Sequence, residues 1–552
     1  MIRLFAALSI LVQVAGCATA KSPQKNASNG EITELQMAYD IEPTQYEGKP
    51  ALKISLQFLG GYSGRTFLNL PYSKAKGLNF LENIKEFRVT SENAHFNDTF
   101  YKGMKYIEHR PGEPVGITYI LVPSKNTETK STEVVIEKDY FYWSAHSGLA
   151  VPNWNNDEPM GIRIRWKNFP KDYIFPNSFA QKNEYQLFKA TYEEFFDGVY
   201  LGGRLKLNNY EVDGKPLMIA SLGNWKFTEA ELFQTLSRIV SLQRQFWNDD
   251  GNEKLLVSLL PFRGNKKKSA GRAFHQAFAM FVGSERKIDV RIRSLISHEM
   301  FHSWNGRIIS PPRGEEYRHT TWFTEGFTNY YANIFLLKSG LMTFREYVDE
   351  LNYTLYSYYT SPYRNTPNEQ NAESVYVDLD AQILPYLRGE LLAHNWNYRL
   401  KTQGKPGANL DLVMKDLFKA SQVKRNSLTN SLIDDTFENY LKTGIKPQIK
   451  DYVSQGKTIE PEAFPLGPCV RVAKARFAKP TKVDADKTAK TVHEAMLNKE
   501  KLVKGIKQQA KDAAGMIEIP QLRLDEAIFK SDPKGCLAFL FDEAPLNAAV
   551  NP

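Results

Sequence analysis

The segment His298–His302, with the sequence HEMFH, constrains this 552-residue chain more than any other feature. Residues four apart lie on one face of a helix, so the two imidazoles can bind one metal ion if the segment is helical. The glutamate beside the first histidine is then placed to accept a proton from water at the metal. The spacing predicts a zinc site, which needs a third protein ligand and keeps one position open. Glu325 is the candidate for that ligand.

The residues around the motif predict two helices that pack side by side. The apolar residues that precede the motif at helical spacing are Ile288, Ile292, Leu295 and Ile296. They predict a first helix that carries His298, His302 and Asn305 on one stripe. A second helix is predicted from about Thr324 to Lys338, ending before Gly340. The alternative is a pair of buried histidines satisfied by their neighbours, with the glutamate paired to an arginine. That alternative explains neither the spacing nor the second helix.

Two sequence segments together resemble a known family. HEMFHSWNGRI from His298, followed by WFTEGFTNYY from Trp322, is similar to the glycyl aminopeptidase family of metallopeptidases. Trp304 and Asn305 are the more family-specific part of the first segment. The resemblance is strong over about residues 290–335 and looser over the flanking sequence.

The resemblance implies specific roles for residues of this chain. It implies His298, His302 and Glu325 as zinc ligands and Glu299 as the general base. It also implies a thermolysin-like catalytic domain that follows an N-terminal β domain. One Zn²⁺ per chain is the expected cofactor.

Tyr386 is the candidate for stabilising the oxyanion. With Arg388-Gly389 it resembles a family element at the start of a helix. Negative charge develops on the carbonyl oxygen during hydrolysis, and a phenol aimed at that oxygen stabilises it. The alternative is an aromatic packing residue. His319 could take the same role, but the sequence places it in the loop between the two predicted helices.

One stretch departs from the family pattern. Aminopeptidases of this group recognise the substrate amine with a glutamate on the strand before the zinc helix. The corresponding stretch here, Gly271–Phe281, carries no carboxylate, and His275 and Gln276 occupy that neighbourhood. A protonated amine in a partly buried site needs an opposite charge. The sequence therefore leaves open whether the enzyme is an aminopeptidase or an endopeptidase.

The N-terminus reads as a targeting segment. Residues 1–16 contain Arg3 and a short apolar stretch, too short to span a membrane stably. They end in VAG before Cys17, which resembles the lipobox of bacterial lipoproteins. The prediction is a lipoprotein signal peptide (1–16), a lipid on Cys17 and a tether (17–30), with the outer membrane as the expected location. A plain signal peptide is the alternative.

The remaining chain predicts an α+β protein of several domains. Alternating strand patterns predict a β-sandwich-like N-terminal domain over residues 31–187. A thermolysin-like α/β catalytic domain with a mainly helical C-terminal half is predicted over residues 188–460. Residues 461–552 form an unassigned C-terminal appendage without a clear PDZ-like domain. Cys469 and Cys536, in an exported protein, are candidates for a disulfide, with two free thiols as the alternative.

The charge distribution argues against a role in binding nucleic acid. The net charge is +9, but the lysine-rich region near the C-terminus has few aromatic residues for base stacking. Such runs are typical of solvated helix faces.

These observations predict an exported, lipid-anchored zinc metallopeptidase that hydrolyses peptides or unfolded proteins. One alternative is an aminopeptidase with glycine or alanine preference. The alternative of another class is an inactive zinc-fold surface lipoprotein that only binds, although such a scaffold has no need for Glu299.

Overall fold

The structure is a computed structural model. It describes residues 35–71, 80–101, 104–125, 134–154, 158–179, 181–311, 317–374, 378–423, 427–463, 465–478 and 516–541. The predicted signal peptide, the tether and Cys17 lie outside these residues. Within the described part of the chain, no helix is both long and apolar enough to cross a membrane.

The strands are numbered in chain order. They are β1 Met37–Tyr46, β2 Lys49–Leu59, β3 Arg65–Asn69, β4 Ile84–Val89, β5 Ala94–Tyr101, β6 Met104–His109, β7 Pro114–Leu121, β8 Val135–Ile136, β9 Tyr140–Ser144, β10 Val151–Asn153, β11 Met160–Trp166, β12 Tyr185–Ala190, β13 Val199–Gly203, β14 Lys206–Val212, β15 Lys215–Ser221, β16 Leu255–Pro261, β17 Ser269–Phe274, β18 Ala277–Val282, β19 Val470–Ala478 and β20 Met516–Leu524.

The helices are numbered in the same way. They are α1 Ala145–Gly148, α2 Tyr192–Phe196, α3 Glu229–Trp247, α4 Val290–Phe301, α5 Tyr317–Lys338, α6 Phe344–Thr360, α7 Asn368–Ser374, α8 Leu379–Gln403, α9 Leu410–Ser421, α10 Asn430–Glu438, α11 Lys446–Gln448, α12 Glu526–Ser531 and α13 Pro533–Ala538. A 3₁₀ helix spans Phe80–Asn83, and a π-helical segment spans Ile449–Ser454.

Two sheets near the N-terminus share one hydrophobic core. The larger has the order β12-β11-β1-β2-β7-β4, and the smaller has the order β10-β3-β6-β5. In β2, Ile54 and Phe58 are buried whereas Lys53 is exposed, as the two-residue period of a half-buried strand requires. Leu68 and Ile107 of the smaller sheet contribute to the same core. The predicted boundary at residue 187 falls inside β12, and the next strand, β13, pairs back with β9.

A five-stranded sheet, with the order β14-β15-β16-β18-β17, lies between this region and the helices. Leu256 and Phe281 face the core that includes β9 and β13. Val257 and Met280, which lie one residue away on the same strands, face the helices. Because both faces are covered, β16 is a continuous apolar run rather than an alternating one. β17 is the edge strand, and its outer side lies against α4.

The helical half has well-defined ends. Thr228 caps α3 with Glu231 in a capping box, and the Asp289 side chain accepts the backbone N–H of Ile292 at the start of α4. Gly340, with φ +71°, follows α5 and allows the chain to leave the helix in the left-handed conformation. The predicted start of α5 was wrong, because the helix already includes Tyr317.

The C-terminal residues pack on the helical half. β19 and β20 form an antiparallel two-stranded sheet, followed by α12 and α13. We call residues 465–478 and 516–541 the C-terminal hairpin. The Asn352 side chain on α6 accepts the backbone N–H of Leu522 at 2.6 Å and donates to the Leu522 carbonyl at 2.9 Å. Cys469 and Cys536, both buried, form a disulfide with a Cα–Cα distance of 5.4 Å. The predicted appendage therefore shares its core with the preceding helices.

Candidate metal centre

The HEMFH segment lies at the end of α4, and this position determines where its side chains point. The helix ends at Phe301, and His302 is its cap residue, still in helical conformation with φ −61° and ψ −13°. His298 and His302 therefore remain one turn apart on one face. The prediction that Asn305 continues the stripe was wrong, because the residue lies in the turn after the helix. Its side chain donates to Thr328 Oγ1 at 3.0 Å and so ties this turn to α5.

Three ligand atoms converge between α4 and α5. His298 Nε2 and His302 Nε2 are 3.0 Å apart, and Glu325 Oε2 lies 3.3 Å and 3.2 Å from them respectively. The three side chains are 11–17% exposed. Ligand atoms about 2.0–2.1 Å from a tetrahedral zinc ion stand roughly 3.3 Å from each other, so the observed spacing fits such an ion.

Both histidines present an unprotonated nitrogen to the site. His298 Nδ1 lies 2.8 Å from Asn329 Oδ1, and His302 Nδ1 lies 2.8 Å from the Asn305 carbonyl. Each of these oxygens accepts a hydrogen bond, so each Nδ1 carries a proton and each Nε2 is the nitrogen that can bind a metal ion in place of a proton. Two lone pairs 3.0 Å apart repel each other unless a cation lies between them. The donor set therefore fits a metal ion.

The electrostatics of the site also favour a cation. Burial disfavours the charged form of His302, but the attraction of Glu325 outweighs it and raises the pKa to about 9. Burial alone would raise the pKa of Glu325, but the two histidines hold it well below its usual value. The site thus attracts positive charge, which a proton or a metal ion can supply.

Glu299 lies between the metal ligands and the edge strand. Its Oε2 accepts the backbone N–H of Ala273 on β17 at 2.7 Å. This contact holds the carboxylate beside the ligand cluster without using it as a ligand.

The close approach of α5 and α8 brings Tyr386 to the site. A Cβ on Gly389 would lie 1.7 Å from the Trp322 carbonyl oxygen, and one on Gly326 would lie 2.3 Å from the Gly389 Cα. Glycine at both positions lets the helix backbones touch. The ring of Tyr386 then stacks beside His298, with centroids 5.8 Å apart and planes at 19°.

Arg388 has a structural position instead of a place in the site. It is fully buried, and its Nη2 donates to the carbonyls of Thr366 and Arg364 at 2.8 and 3.3 Å. Arg388 and Gly389 thus position α8, and of the three motif residues Tyr386 is the one that lies against His298.

The other two histidines considered from the sequence lie apart from the ligand cluster. His319 belongs to the first turn of α5, so its predicted loop position was wrong, and its Nδ1 is 3.8 Å from Glu369. His275 lies in the turn between β17 and β18, with its ring 5.5 Å from that of Phe179. Burial lowers the pKa of His275 to about 4, so its imidazole is neutral at pH 7.

Two features of the site did not emerge from the sequence: the Ala273 backbone contact and Asn329. Asn329 follows Glu325 by four residues and therefore lies on the same helix face, which is a signal that the sequence did contain.

Comparison with known proteins agrees with this geometry. Residues 291–404, which contain the two histidines, Glu299, Glu325 and Tyr386, match the M61 glycyl aminopeptidase family. The chain is a zinc metallopeptidase whose residues 291–404 are similar to this family. No curated protein matches the peptidase.

Solved structures share its fold. An aminopeptidase N family protein from Idiomarina loihiensis superposes with a TM-score of 0.66 at 17% identity, covering 79% of each chain. A two-domain M1 zinc metallopeptidase mutant bound to L-arginine gives a TM-score of 0.50 at 15% identity, covering 77% of the peptidase and 96% of that chain. A mutant M1 zinc metallopeptidase from Deinococcus radiodurans, bound to a Tyr-Ser-Ala substrate, gives 0.48 at 17% identity with the same coverage.

Proposed function

We propose that the peptidase hydrolyses peptide bonds with Glu299 as general base. The observation that carries the proposal is the position of its carboxylate, held by the Ala273 N–H beside three convergent ligand atoms. From there it can take a proton from the attacking water and deliver it to the leaving amine. When bound, zinc polarises the scissile carbonyl and lowers the pKa of the water towards neutrality.

The stacking of Tyr386 on His298 supports a role for its phenol as the oxyanion donor. Its ring lies along His298 on the side reached from α8, while Glu299 reaches the cluster from α4 and β17. A phenol O–H on one side of the reacting carbonyl and a carboxylate on the other let the two groups act on different atoms of the substrate. The remainder of α8 supports this placement through the Gly326–Gly389 contact.

We further propose that cleavage does not depend on a carboxylate from β17 that binds a free amine. Phe274 ends this strand and is 2% exposed within an apolar cluster. Beyond it, Asp197, whose backbone carbonyl accepts the His275 N–H, forms an ion pair with Arg307 at 3.0 Å. This arrangement favours internal cleavage. The family match keeps an aminopeptidase with glycine or alanine preference as the second candidate.

A peptide-library experiment separates these functions. Glu299→Gln keeps an oxygen for the Ala273 N–H but removes the base, so turnover should fall about 10³-fold while zinc binding remains. Tyr386→Phe should lower kcat about 10²-fold. Glu285→Gln, at an exposed position, is the matched control. If the unmodified protein binds zinc and cleaves no peptide, the inactive surface scaffold becomes the correct assignment.

A pair of substrates decides the cleavage mode. Each peptide is offered with a free and with an acetylated N-terminus, and the cut positions are read by mass spectrometry. Equal cleavage of both forms supports an endopeptidase. Cleavage only of the free form, one residue from the end, supports the aminopeptidase.

The domain arrangement and the location of the protein are also proposals. The shared core of the two N-terminal sheets supports a β-sandwich-like domain, and the five-stranded sheet with α3–α5 supports a thermolysin-like domain. The lipobox-like sequence before Cys17 supports a lipid-anchored protein of the bacterial envelope, with the outer membrane as the proposed site. The mass of the mature N-terminal peptide, compared with Cys17→Ser, tests the lipid.

A further inference from the structure

The outer face of the six-stranded sheet brings arginines and exposed apolar side chains together. Across β11 and β12, the strand register aligns Arg163 with Leu187 and Arg165 with Tyr185. Successive side chains of a strand point to opposite faces of the sheet. Because the residues between these four are buried in the core, the four share the face that points to solvent.

Cations outnumber acids on this face. Over β1, β2, β11 and β12 and the residue after β11, its cations are Lys49, Lys53, Arg163, Arg165, Lys167 and Lys189, and its acids are Asp40 and Glu42. We call these residues, with Tyr185 and Leu187, the basic patch. The side chain of Asp40 is 18% exposed and lies 3.7 Å from Arg163 and 3.2 Å from Lys167, and it also contacts Arg165. One low carboxylate thus lies beside three cations, and the patch keeps a net positive charge.

The two apolar members of the patch are exposed on the edge strand β12. Tyr185 is 57% exposed and Leu187 is 38% exposed. A tyrosine has an apolar ring and a polar hydroxyl, which suits the boundary between water and hydrocarbon. Apolar side chains among cations are also the composition of surfaces that bind anionic membranes. The patch therefore has both the charge and the apolar side chains that a phospholipid surface requires.

The position of the patch in the chain and in the fold fits the same partner. The described chain begins at Leu35, directly before β1 in this sheet, and residues 18–34 connect it to Cys17. A segment of that length spans at most about 60 Å. The inner face of β12 points the other way, where Phe188 stacks on Phe179, whose ring lies 5.5 Å from that of His275 beside β17. A membrane on the outer face therefore lies on the opposite side of β12 from these residues.

We propose that the basic patch binds the phosphate head groups of an anionic phospholipid bilayer. The cations supply the electrostatic attraction, and Tyr185 and Leu187 enter the head-group region. The contact fixes which side of the protein faces the membrane. The inference rests on the proposed envelope location, but it requires neither a lipid on Cys17 nor peptide cleavage.

The test is co-sedimentation of the full-length protein with lipid vesicles. Cys17→Ser is present in every sample, so that no lipid is attached to the chain. One set of vesicles contains equal parts of phosphatidylglycerol and phosphatidylcholine, and the other contains phosphatidylcholine alone. The anionic vesicles should bind more protein, and this binding should weaken as salt screens the charges.

Charge reversal within the patch should weaken this binding. Lys53→Glu/Lys189→Glu changes two exposed side chains that do not contact Asp40, and a cation near an anionic surface contributes about fivefold to affinity. The double variant should therefore bind anionic vesicles about a hundredfold more weakly. Lys405→Glu/Lys442→Glu makes the same change of charge at exposed positions of the helical half, and its binding should stay within about threefold of the unreversed protein.

The apolar side chains give a second, independent comparison. Tyr185→Ser/Leu187→Ser should weaken binding to anionic vesicles about tenfold, because affinity rises with the apolar area that enters the interface. This loss should persist at high salt, whereas the loss caused by charge reversal should shrink. Cleavage of a soluble peptide should be unchanged in both double variants, since neither alters the metal centre.

Three results would overturn the inference. The first is equal vesicle binding by Lys53→Glu/Lys189→Glu and its control, and the second is equal binding of anionic and neutral vesicles. The third is binding of soluble polyglutamate, with the same dependence on Lys53 and Lys189, by a protein that ignores anionic vesicles, which would assign the patch to an acidic polypeptide. A protein that binds vesicles as expected and cleaves nothing would contradict the proposed function and leave this inference standing.

Discussion

The metal centre and the C-terminal hairpin lie against one hydrophobic core, but they depend on it differently. In the metal centre, polar contacts hold the ligand side chains: Asn329 Oδ1 faces His298 Nδ1, and the Asn305 carbonyl faces His302 Nδ1. In the hairpin, apolar side chains such as Phe529 pack on α6, where Phe529 stacks on Phe344, and the Asn352 side chain makes two hydrogen bonds to the Leu522 backbone. A disulfide links two parts of the hairpin to each other. The comparison indicates that the contacts of the metal centre orient its ligand side chains, whereas those of the C-terminal hairpin stabilise the packing of the helices.

The largest expected effect is a variant that loses both stability and the metal site. Gly389→Ala places a Cβ against the Trp322 carbonyl, so α5 and α8 must move apart. Because that atom belongs to a backbone, the cost should exceed about 3 kcal/mol of unfolding free energy. Zinc content should fall as well, since Glu325 and Tyr386 lie on the separated helices. Chemical unfolding and metal analysis check both, with Leu379→Ala at the exposed start of α8 as the control. Normal stability would mean that the helix contact is not rigid.

Removing the disulfide should lower the stability of the protein without weakening the metal centre. The Cys469→Ala/Cys536→Ala protein should lose about 2–4 kcal/mol, because the bond closes a loop across a sequence separation of 67 residues. Its zinc affinity should not change. Unfolding by urea and chelator competition measure the two quantities. A weaker zinc site in this variant would show that the hairpin acts on the metal centre after all.

Acid should destabilise the protein through His394 of α8, the helix that also carries Tyr386. His394 is 3% exposed between the rings of Tyr330 and Tyr347, and burial lowers its pKa to about 3. The folded state therefore disfavours its protonation. Its contribution to stability is complete above the ordinary histidine pKa of 6.5 and is lost as the pH falls towards 3.

The corresponding variant is His394→Phe. Relative to the unmodified protein, it should gain about 1.4 kcal/mol of unfolding free energy between pH 7.5 and pH 5.5. Urea unfolding at both pH values gives the difference. A constant difference would mean that His394 is accessible to protons in the folded state.

The smallest expected effect lies in the hairpin. Asn352→Ala removes the two hydrogen bonds to the Leu522 backbone and should cost about 1–2 kcal/mol. Arg345→Ala, which removes an exposed ion pair with Glu526, serves as the control and should leave stability unchanged. Equal effects of the two substitutions would contradict the assignment of the hairpin's attachment to buried contacts.

The sequence predicted the parts of the site that follow a helical period. His298 and His302 are brought together by local geometry alone, and Glu325 lies on a helix that its apolar residues define. The strand β2 was equally predictable, because one face is buried and its side chains alternate. The start of α5 and the position of His319 were not, because a polar first turn lacks the apolar period that marks a helix.

The tertiary structure alone decided the contacts between distant segments. It placed the Ala273 N–H against Glu299, Asn329 against His298, and the C-terminal hairpin against α6. These contacts depend on which helix faces meet and on glycines such as Gly389, whose need appears only when two backbones touch. Sequence by itself predicted the two histidine ligands and the general base, because the spacing of His298, Glu299 and His302 is fixed within one helix and its cap residue. The orientation of those ligands and the attachment of the last residues required the packed core, because hydrogen bonds between segments have no period in the sequence.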